Sequence, residues 1–434
     1  MFTEEHGPVL PFSVNSITQP LIELLMSDFD DLKESLSARK AQHLYRTRRL
    51  LAGPQQPLQQ VDGQSILSFC SNDYLGLANH PNVKKAATEA ITEFGVGSGA
   101  SHLVNGHSEL HHKLELALAE FTGRDRAVLF STGFMANLGT VSALVGRGDA
   151  VIQDKWNHAS LIDAGLSSGA KFKRYQHCDM PSLVRQIESV DAKRKLIVTD
   201  GVFSMDGDIA PLDQMASIAE QTNACLMIDD AHGLGVLGDT GAGSAEYFGL
   251  DQTRLPVLMG TLGKACGTFG AFVAGSEAMV ETLIQNARSY IYTTALPPAV
   301  AAASLASLEI IKHESWRREH LNNMISMLRA GVEKIGFTLM PSSTPIQPVL
   351  IGEEALALSI SRQLEARGLL VTAIRPPTVP EKTSRLRITL SASHTEIQVK
   401  QLLEALSDIF QGLSEQDLES LDAARTRVSL DEIS

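Results

Sequence analysis

Cys225-Leu226-Met227-Ile228-Asp229-Asp230-Ala231-His232, followed 32 residues after the histidine by Lys264 in Gly260-Thr261-Leu262-Gly263-Lys264-Ala265-Cys266-Gly267, decides how this chain reads. The apolar run is too short for a helix and unbroken by polar residues, the signature of a strand covered on both faces of a parallel sheet. It ends in a carboxylate, and burying one without a partner costs several kcal/mol. A cation is therefore expected opposite Asp229. Lys264 sits among small residues that let a flat molecule approach the backbone, and burial would lower its amine pKa toward the nucleophilic form. A lysine that forms a Schiff base and a carboxylate that keeps a pyridine nitrogen protonated are what pyridoxal 5'-phosphate (PLP) requires of a protein. Asp229 and Lys264 are the candidates, with His232 placed to bond the ring oxygen. A capping aspartate, a core histidine and a solvated loop lysine are the plainer alternatives.

Working outward, short apolar segments at 127–130, 150–153, 196–199, 224–228 and 256–259 alternate with helical stretches. The first two helices carry Val83, Ala86, Ala87, Ala90, Ile91 and Phe94, then Leu110, Leu114, Ala117, Leu118 and Phe121, at helical spacing. This alternation predicts an α/β fold with a mainly parallel sheet and ligands gathered at the carboxyl ends of its strands. Beyond a helix over 295–312 the pattern changes to a helix through Leu321, Leu328 and Ile335, extended segments at 337–340, 346–351, 369–374 and 386–390, and a closing helix over 395–411. The expected organisation is an N-terminal arm at 1–75, a large PLP-binding domain at 76–305, a smaller α+β domain at 306–412 and a polar tail at 413–434, read as a frayed helix or loose tail. Within the arm, 31–51 reads as a basic helix stopped by Ala52-Gly53-Pro54.

Composition narrows the partners. A net charge of −13 over 434 residues gives no footprint for nucleic acid or an anionic membrane surface. Cys70, Cys178, Cys225 and Cys266 are scattered and lack C-x-x-C spacing, which suits reduced thiols. No segment reaches the ~20 apolar residues of a membrane span, and the N-terminus lacks the pattern of a signal peptide. A cytoplasmic location is the expectation.

Several other segments carry candidate chemistry. Ser131-Thr132-Gly133-Phe134 follows a strand and opens a helix, so the N–H groups of Gly133 and Phe134 could hold a phosphate, or the turn could be an ordinary cap. Thr261, Thr293 and Thr294 could add hydroxyls. His158, after another strand, could stack on a flat ring or lie in the core. Gly233-Leu234-Gly235-Val236-Leu237-Gly238 matches the dinucleotide fingerprint, which makes a nicotinamide dehydrogenase the rival enzyme; but Asp239-Thr240-Gly241-Ala242-Gly243 cannot open the helix that fingerprint needs. The cluster His102, His107, His111 and His112 lacks an H-E-x-x-H pattern, and no metal is expected there.

Ser71-Asn72-Asp73-Tyr74-Leu75-Gly76-Leu77, Asn157-His158-Ala159-Ser160-Leu161, Asp200-Gly201-Val202-Phe203-Ser204-Met205-Asp206-Gly207, Asp229-Asp230-Ala231-His232-Gly233 and Thr261-Leu262-Gly263-Lys264 together resemble the α-oxoamine synthase family over about residues 33–410. The resemblance implies a fold-type I PLP-dependent transferase that joins an amino acid to an acyl thioester with loss of carbon dioxide, in a homodimer with shared active sites. Thr372-Ala373-Ile374-Arg375-Pro376-Pro377-Thr378-Val379-Pro380 is similar to the biotin-pathway member, which implies L-alanine and a pimeloyl thioester, on coenzyme A or acyl carrier protein, as substrates. Members using glycine or serine with another acyl group are the alternative. The implied roles are Lys264 for the Schiff base, Asp229 at the pyridine nitrogen, His232 and Ser204 near the ring oxygen, and His158 stacked on the ring as a proton donor. Gly133, Phe134 and Thr261 would hold the phosphate, with Thr293 and Thr294 reaching the neighbouring subunit's phosphate. Arg375 would grip the amino-acid carboxylate, and Arg46, Asn72 and Thr378 would border the acyl substrate. Cys266 and His102 depart from the family pattern, and the terminal extensions lie outside it.

Overall fold

The computed structural model describes residues 31–41 and 44–431, with side chains as far as 427. The chain divides at Leu51 into two units. In the first, α1 (Asp31–Ala41) buries none of its residues, and 44–50 are not helical. The helix is thus shorter than the predicted 31–51, because the cations Arg46, Arg48 and Arg49 repel one another and no apolar stripe gives a helix a face to bury.

The second unit begins with the hairpin β1 (Leu58–Val61) and β2 (Gln64–Ser68). Its main sheet contains β3 (Arg126–Phe130), β4 (Ala150–Asp154), β5 (Lys171–Tyr175), β6 (Lys195–Asp200), β7 (Cys225–Asp229), β8 (Val257–Thr261) and β9 (Ala271–Gly275), in the order β3-β9-β8-β7-β6-β4-β5. Neighbours from β8 through β5 run parallel, and β9 is antiparallel to both β3 and β8. Both faces are buried, as the apolar runs require. Leu226, Ile228, Leu258 and Phe272 pack into one cluster, and Met227, Val257, Met259 and Val273 into the other. Two strands escape sequence reading. β5 is an edge strand of sequence Lys-Phe-Lys-Arg-Tyr whose charges mask the alternation, and β9 is a short apolar piece between two glycines.

A second sheet holds β10 (Thr338–Leu339), β11 (Ile346–Gly352), β13 (Thr372–Ile374) and β14 (Ser384–Thr389) in the antiparallel order β10-β11-β14-β13. The segment predicted as one strand over 369–374 is two: β12 (Leu369–Leu370) pairs parallel with β2, and β13 pairs with β14. The final helix, Glu415–Asp431, is docked rather than frayed. Ala424 is 4% exposed, and it sits where a Cβ on Gly352 would come within 2.6 Å of its methyl group, so a glycine in β11 makes room for the helix.

Candidate active site

Strand ends deliver the reactive groups. β6 closes on Asp200 and β7 on Asp229, whose residues are paired in register. β8 ends at Thr261 and leads into the loop carrying Lys264, which returns to β9 through Leu262 N–H donating to the Gly270 carbonyl at 2.9 Å. Gly267, at φ +65°, lets this loop lie against the Asp73–Ala78 turn; a Cβ there would fall 2.3 Å from the Ala78 nitrogen. Asp73 organises that turn by accepting from Leu77 N–H at 2.8 Å and Ala78 N–H at 3.1 Å.

Lys264 Nζ lies 2.7 Å from His232 Nε2, and His232 Nδ1 lies 2.7 Å from the Tyr74 hydroxyl. Burial, reinforced by the charges of Lys264 and Arg387, holds His232 well below the usual imidazole range, so its ring is neutral. The chain of donors then has one direction. Lys264 donates to Nε2, Nδ1–H donates to Tyr74, and Tyr74 donates to Asn72 Oδ1 at 3.2 Å. Arg387 completes the wall, with Nε donating to the Ser204 carbonyl at 2.7 Å and Nη2 to Asn72 Oδ1 at 3.4 Å. Its guanidinium is buried, and among the described residues no carboxylate lies within ion-pair distance of it.

Burial lowers the Lys264 amine to about 8, although the negative charges of Asp229 and Asp200 oppose the shift. The free amine, not the ammonium, attacks an aldehyde, so capture of PLP by cofactor-free protein should accelerate as pH rises and reach half its limiting rate near pH 8. Stopped-flow absorbance across pH 6.5–9.5 checks this, and a flat profile would disprove it.

Asp229, 4% exposed, accepts from Ala231 N–H at 3.0 Å and from Asn137 Nδ2 at 2.7 Å. Asp200 accepts from the His158 N–H at 2.6 Å; burial and the charge of Asp229 push its carboxyl well above the usual range. His158 is the N-cap of α2 (Ala159–Ser167). Together with Ser204 and Thr378 it lines a cavity of about 620 Å³, whose walls include Trp156, Phe203 and Val379. Behind that wall the Trp156 ring stacks on His177 at 4.0 Å. Burial opposes protonation of His177, but bonds to Asp154 and Asp208 outweigh it and push the imidazole up to about 12.

At the helix Gly133–Leu144 the Thr132 side chain accepts from Met135 N–H at 3.2 Å, leaving the N–H groups of Gly133 and Phe134 without an intrahelical partner. The donor set fits PLP: a depressed lysine amine, a buried carboxylate, a neutral histidine beside the lysine, and free N–H groups at a helix N-terminus for a dianionic phosphate. Thr261 already donates to the Gly270 carbonyl at 3.1 Å. Thr294 bridges to Ser101, and its carbonyl lies 3.4 Å from Ser131 Oγ of the same chain; Thr293 precedes it. Arg375 is paired with Glu354 at 2.6 Å. Arg46 is exposed and belongs to the first unit.

The glycine motif and the histidine cluster take definite conformations. Residues 233–243 are turns rather than a helix start; they wrap the Asp230 carboxylate, which accepts from Ser244 N–H at 2.7 Å, and a Cβ on Gly233 would lie 2.1 Å from Asp230 Oδ1. In the histidine cluster, His111 uses both nitrogens, one toward Ser108 and one toward the Leu296 carbonyl. Sequence reading missed Tyr74, Asn137, Asp200 and Arg387. Tyr74 and Asp200 lie inside the quoted motifs. Asn137 stands one helical turn beyond the Ser131–Phe134 turn, whereas Arg387 has no local signal.

Residues 64–406 match the aminotransferase class I and II family. The chain is 60% identical over 378 residues to the 8-amino-7-oxononanoate synthase of Cellvibrio japonicus, covering 87% of this chain and 95% of that protein. Among solved structures, a serine palmitoyltransferase from S. paucimobilis with bound PLP superposes with a TM-score of 0.83 at 31% identity, over 89% of this chain and 98% of that one. The 8-amino-7-oxononanoate synthase of Francisella tularensis superposes with a TM-score of 0.70 at 33% identity, over 80% and 98%.

Proposed function

Because the chain belongs to the aminotransferase class I and II family, and within it to the PLP-dependent 8-amino-7-oxononanoate synthases of biotin biosynthesis, we propose that it condenses L-alanine with a pimeloyl thioester, releasing carbon dioxide and the thiol. The single observation that carries the chemistry is the depressed amine of Lys264 beside neutral His232, with the Asp229 carboxylate in the same buried site.

PLP, when bound, supplies an aldehyde for imine formation and a ring that accepts the electrons left at Cα. Lys264 tethers it and, as a free amine, takes the Cα proton of alanine as general base. Asp229 keeps the ring nitrogen protonated. His232, its tautomer set by Tyr74, contacts the ring oxygen, with Ser204 beside it. Gly133 and Phe134 bind the phosphate, joined by Thr261 once its hydroxyl turns from Gly270. His158 would stack on the cofactor ring and supply a proton to the reacting carbonyl. The cavity beside His158 receives the acyl chain, bordered by Thr378 and Asn72. Coenzyme A or acyl carrier protein brings that chain.

For the alanine carboxylate the support is strongest for Arg387, a buried guanidinium without a carboxylate partner, whereas Arg375 is engaged by Glu354. Arg387→Ala should raise the KM for alanine by about 30–100-fold, the scale of ~2–3 kcal/mol for a buried charge-assisted pair, and Arg375→Ala by much less. Steady-state titration with alanine separates the two, and a reversed order would return the role to Arg375.

Among the described residues no helix is long and apolar enough to cross a membrane, and a cytoplasmic homodimer with Thr293 and Thr294 reaching across to the partner's phosphate is part of the proposal. So is the division into a large domain at 76–305 and a small one at 306–412. Mass analysis of the product formed from pimeloyl thioesters with alanine, glycine or serine tests the reading. A product from glycine or serine in preference to alanine would overturn it.

A further inference from the structure

We propose that Asn137 and Ser160 are positioning residues that fix the Asp229 carboxylate and the His158 ring as one unit, so that His158 carries its proton on Nε2 and presents a donor to the cavity. The inference rests on the proposed PLP site but concerns the protein's own hydrogen bonds.

Asn137 lies on the helix Gly133–Leu144, on the face of the sheet that also carries Met227 and Met259, and it is fully buried. Its Nδ2 reaches Asp229 Oδ2 at 2.7 Å and Ser160 Oγ at 2.8 Å. The amide can face only one way, because a flip would set its oxygen against a carboxylate oxygen at 2.7 Å. Both amide hydrogens are thereby committed, one to Asp229 and one to Ser160. Ser160 N–H, which can only donate, points to His158 Nδ1 at 3.3 Å and makes that nitrogen an acceptor, so the Ser160 hydroxyl, 2.8 Å away, donates to it as well. A nitrogen that receives two donors carries no proton, so the neutral ring is protonated at Nε2. No described residue bonds to Nε2, and the ring borders the cavity.

The arrangement leaves Asn137 Oδ1 buried without a partner. An apolar residue would avoid that penalty, so stability alone does not account for an asparagine here. Its two N–H groups do: one amide couples the Asp229 carboxylate, through Ser160, to the His158 imidazole.

Two variants and one spectroscopic measurement test this. Asn137→Asp keeps the shape and replaces two N–H donors with a carboxyl that can donate one hydrogen at most, which breaks the double link. If Asn137 only fills space, this variant binds PLP and turns over like the parent. If it positions, PLP affinity of the cofactor-free protein falls by about 10-fold or more, and kcat by about 100-fold while both KM values move less than about 3-fold. Should Asn137→Asp fail to fold, Ser160→Ala decides: kcat should fall about 10-fold, and nitrogen NMR of histidine-labelled, cofactor-free protein should show the His158 tautomer balance shift from the parent. A parent protein with the proton on Nδ1, or a Ser160→Ala variant unchanged in both readouts, overturns the proposal. The tautomer is read without substrate, so a negative result stands apart from any failure of alanine to react.

Discussion

Lys264→Ala should leave less than ~10⁻⁴ of the wild-type turnover, because one substitution removes both the tether for the cofactor and the base for the Cα proton. The fold should survive it. Burial already penalises the lysine charge strongly enough to bring the amine to about 8, so truncation relieves a desolvation cost while opening a small cavity. Its partner His232 keeps its bond to Tyr74. The expected signature is a melting temperature within a few degrees of the parent, no covalent PLP after borohydride reduction, and no product by mass. A variant that retained a tenth of the activity would remove Lys264 from the chemistry.

Asp229→Asn should cost ~10³-fold in kcat, the scale of losing a preorganised charge opposite the developing one. The substitution is isosteric, but Ala231 donates to Oδ1 at 3.0 Å and Asn137 to Oδ2 at 2.7 Å, so the single amide oxygen keeps only one of the two bonds. The charge disappears with the other. That charge also supports the Lys264 ammonium, so its removal should move the midpoint for PLP capture below about 8. Relief of Asp200, raised partly by Asp229, should accompany it. Paired measurements of turnover and capture rate against pH check both effects; a midpoint that stays at about 8 would mean the two groups do not sense each other.

Much of this site is local in the sequence, and that part was legible. Asp229, His232 and Lys264 follow apolar strands or sit in glycine-flanked loops, where strand ends dictate placement. The same logic found the Gly133–Phe134 turn and His158. Arg387 is different: it lies inside β14, and only the packing of that strand beside Asn72 and Ser204 turns an ordinary charged residue into a candidate ligand. Arg375 has the louder local motif, yet its partner Glu354 lies on a helix that no pattern ties to it. Chain segments went astray where burial contradicts composition. β5 is charged but paired, and 369–374 is continuous in pattern but turns at Val371 from one sheet to another. The GLGVLG stretch misleads because glycines permit close approach to a neighbouring Asp230 as readily as to a dinucleotide.

The return of the lysine loop through β9, wedged between β3 and β8, has a consequence for how the enzyme ages and refolds. The loop is anchored at both ends in the interior of the sheet, where Ala271 faces Thr261 on one side and Phe130 on the other. Both of its strands are paired on each side, so their amides exchange only after a neighbouring strand has opened, more slowly than those of an edge strand. Loss of the coenzyme should leave a protein whose slowest-exchanging amides stay in this hairpin, ready to be recharged without refolding.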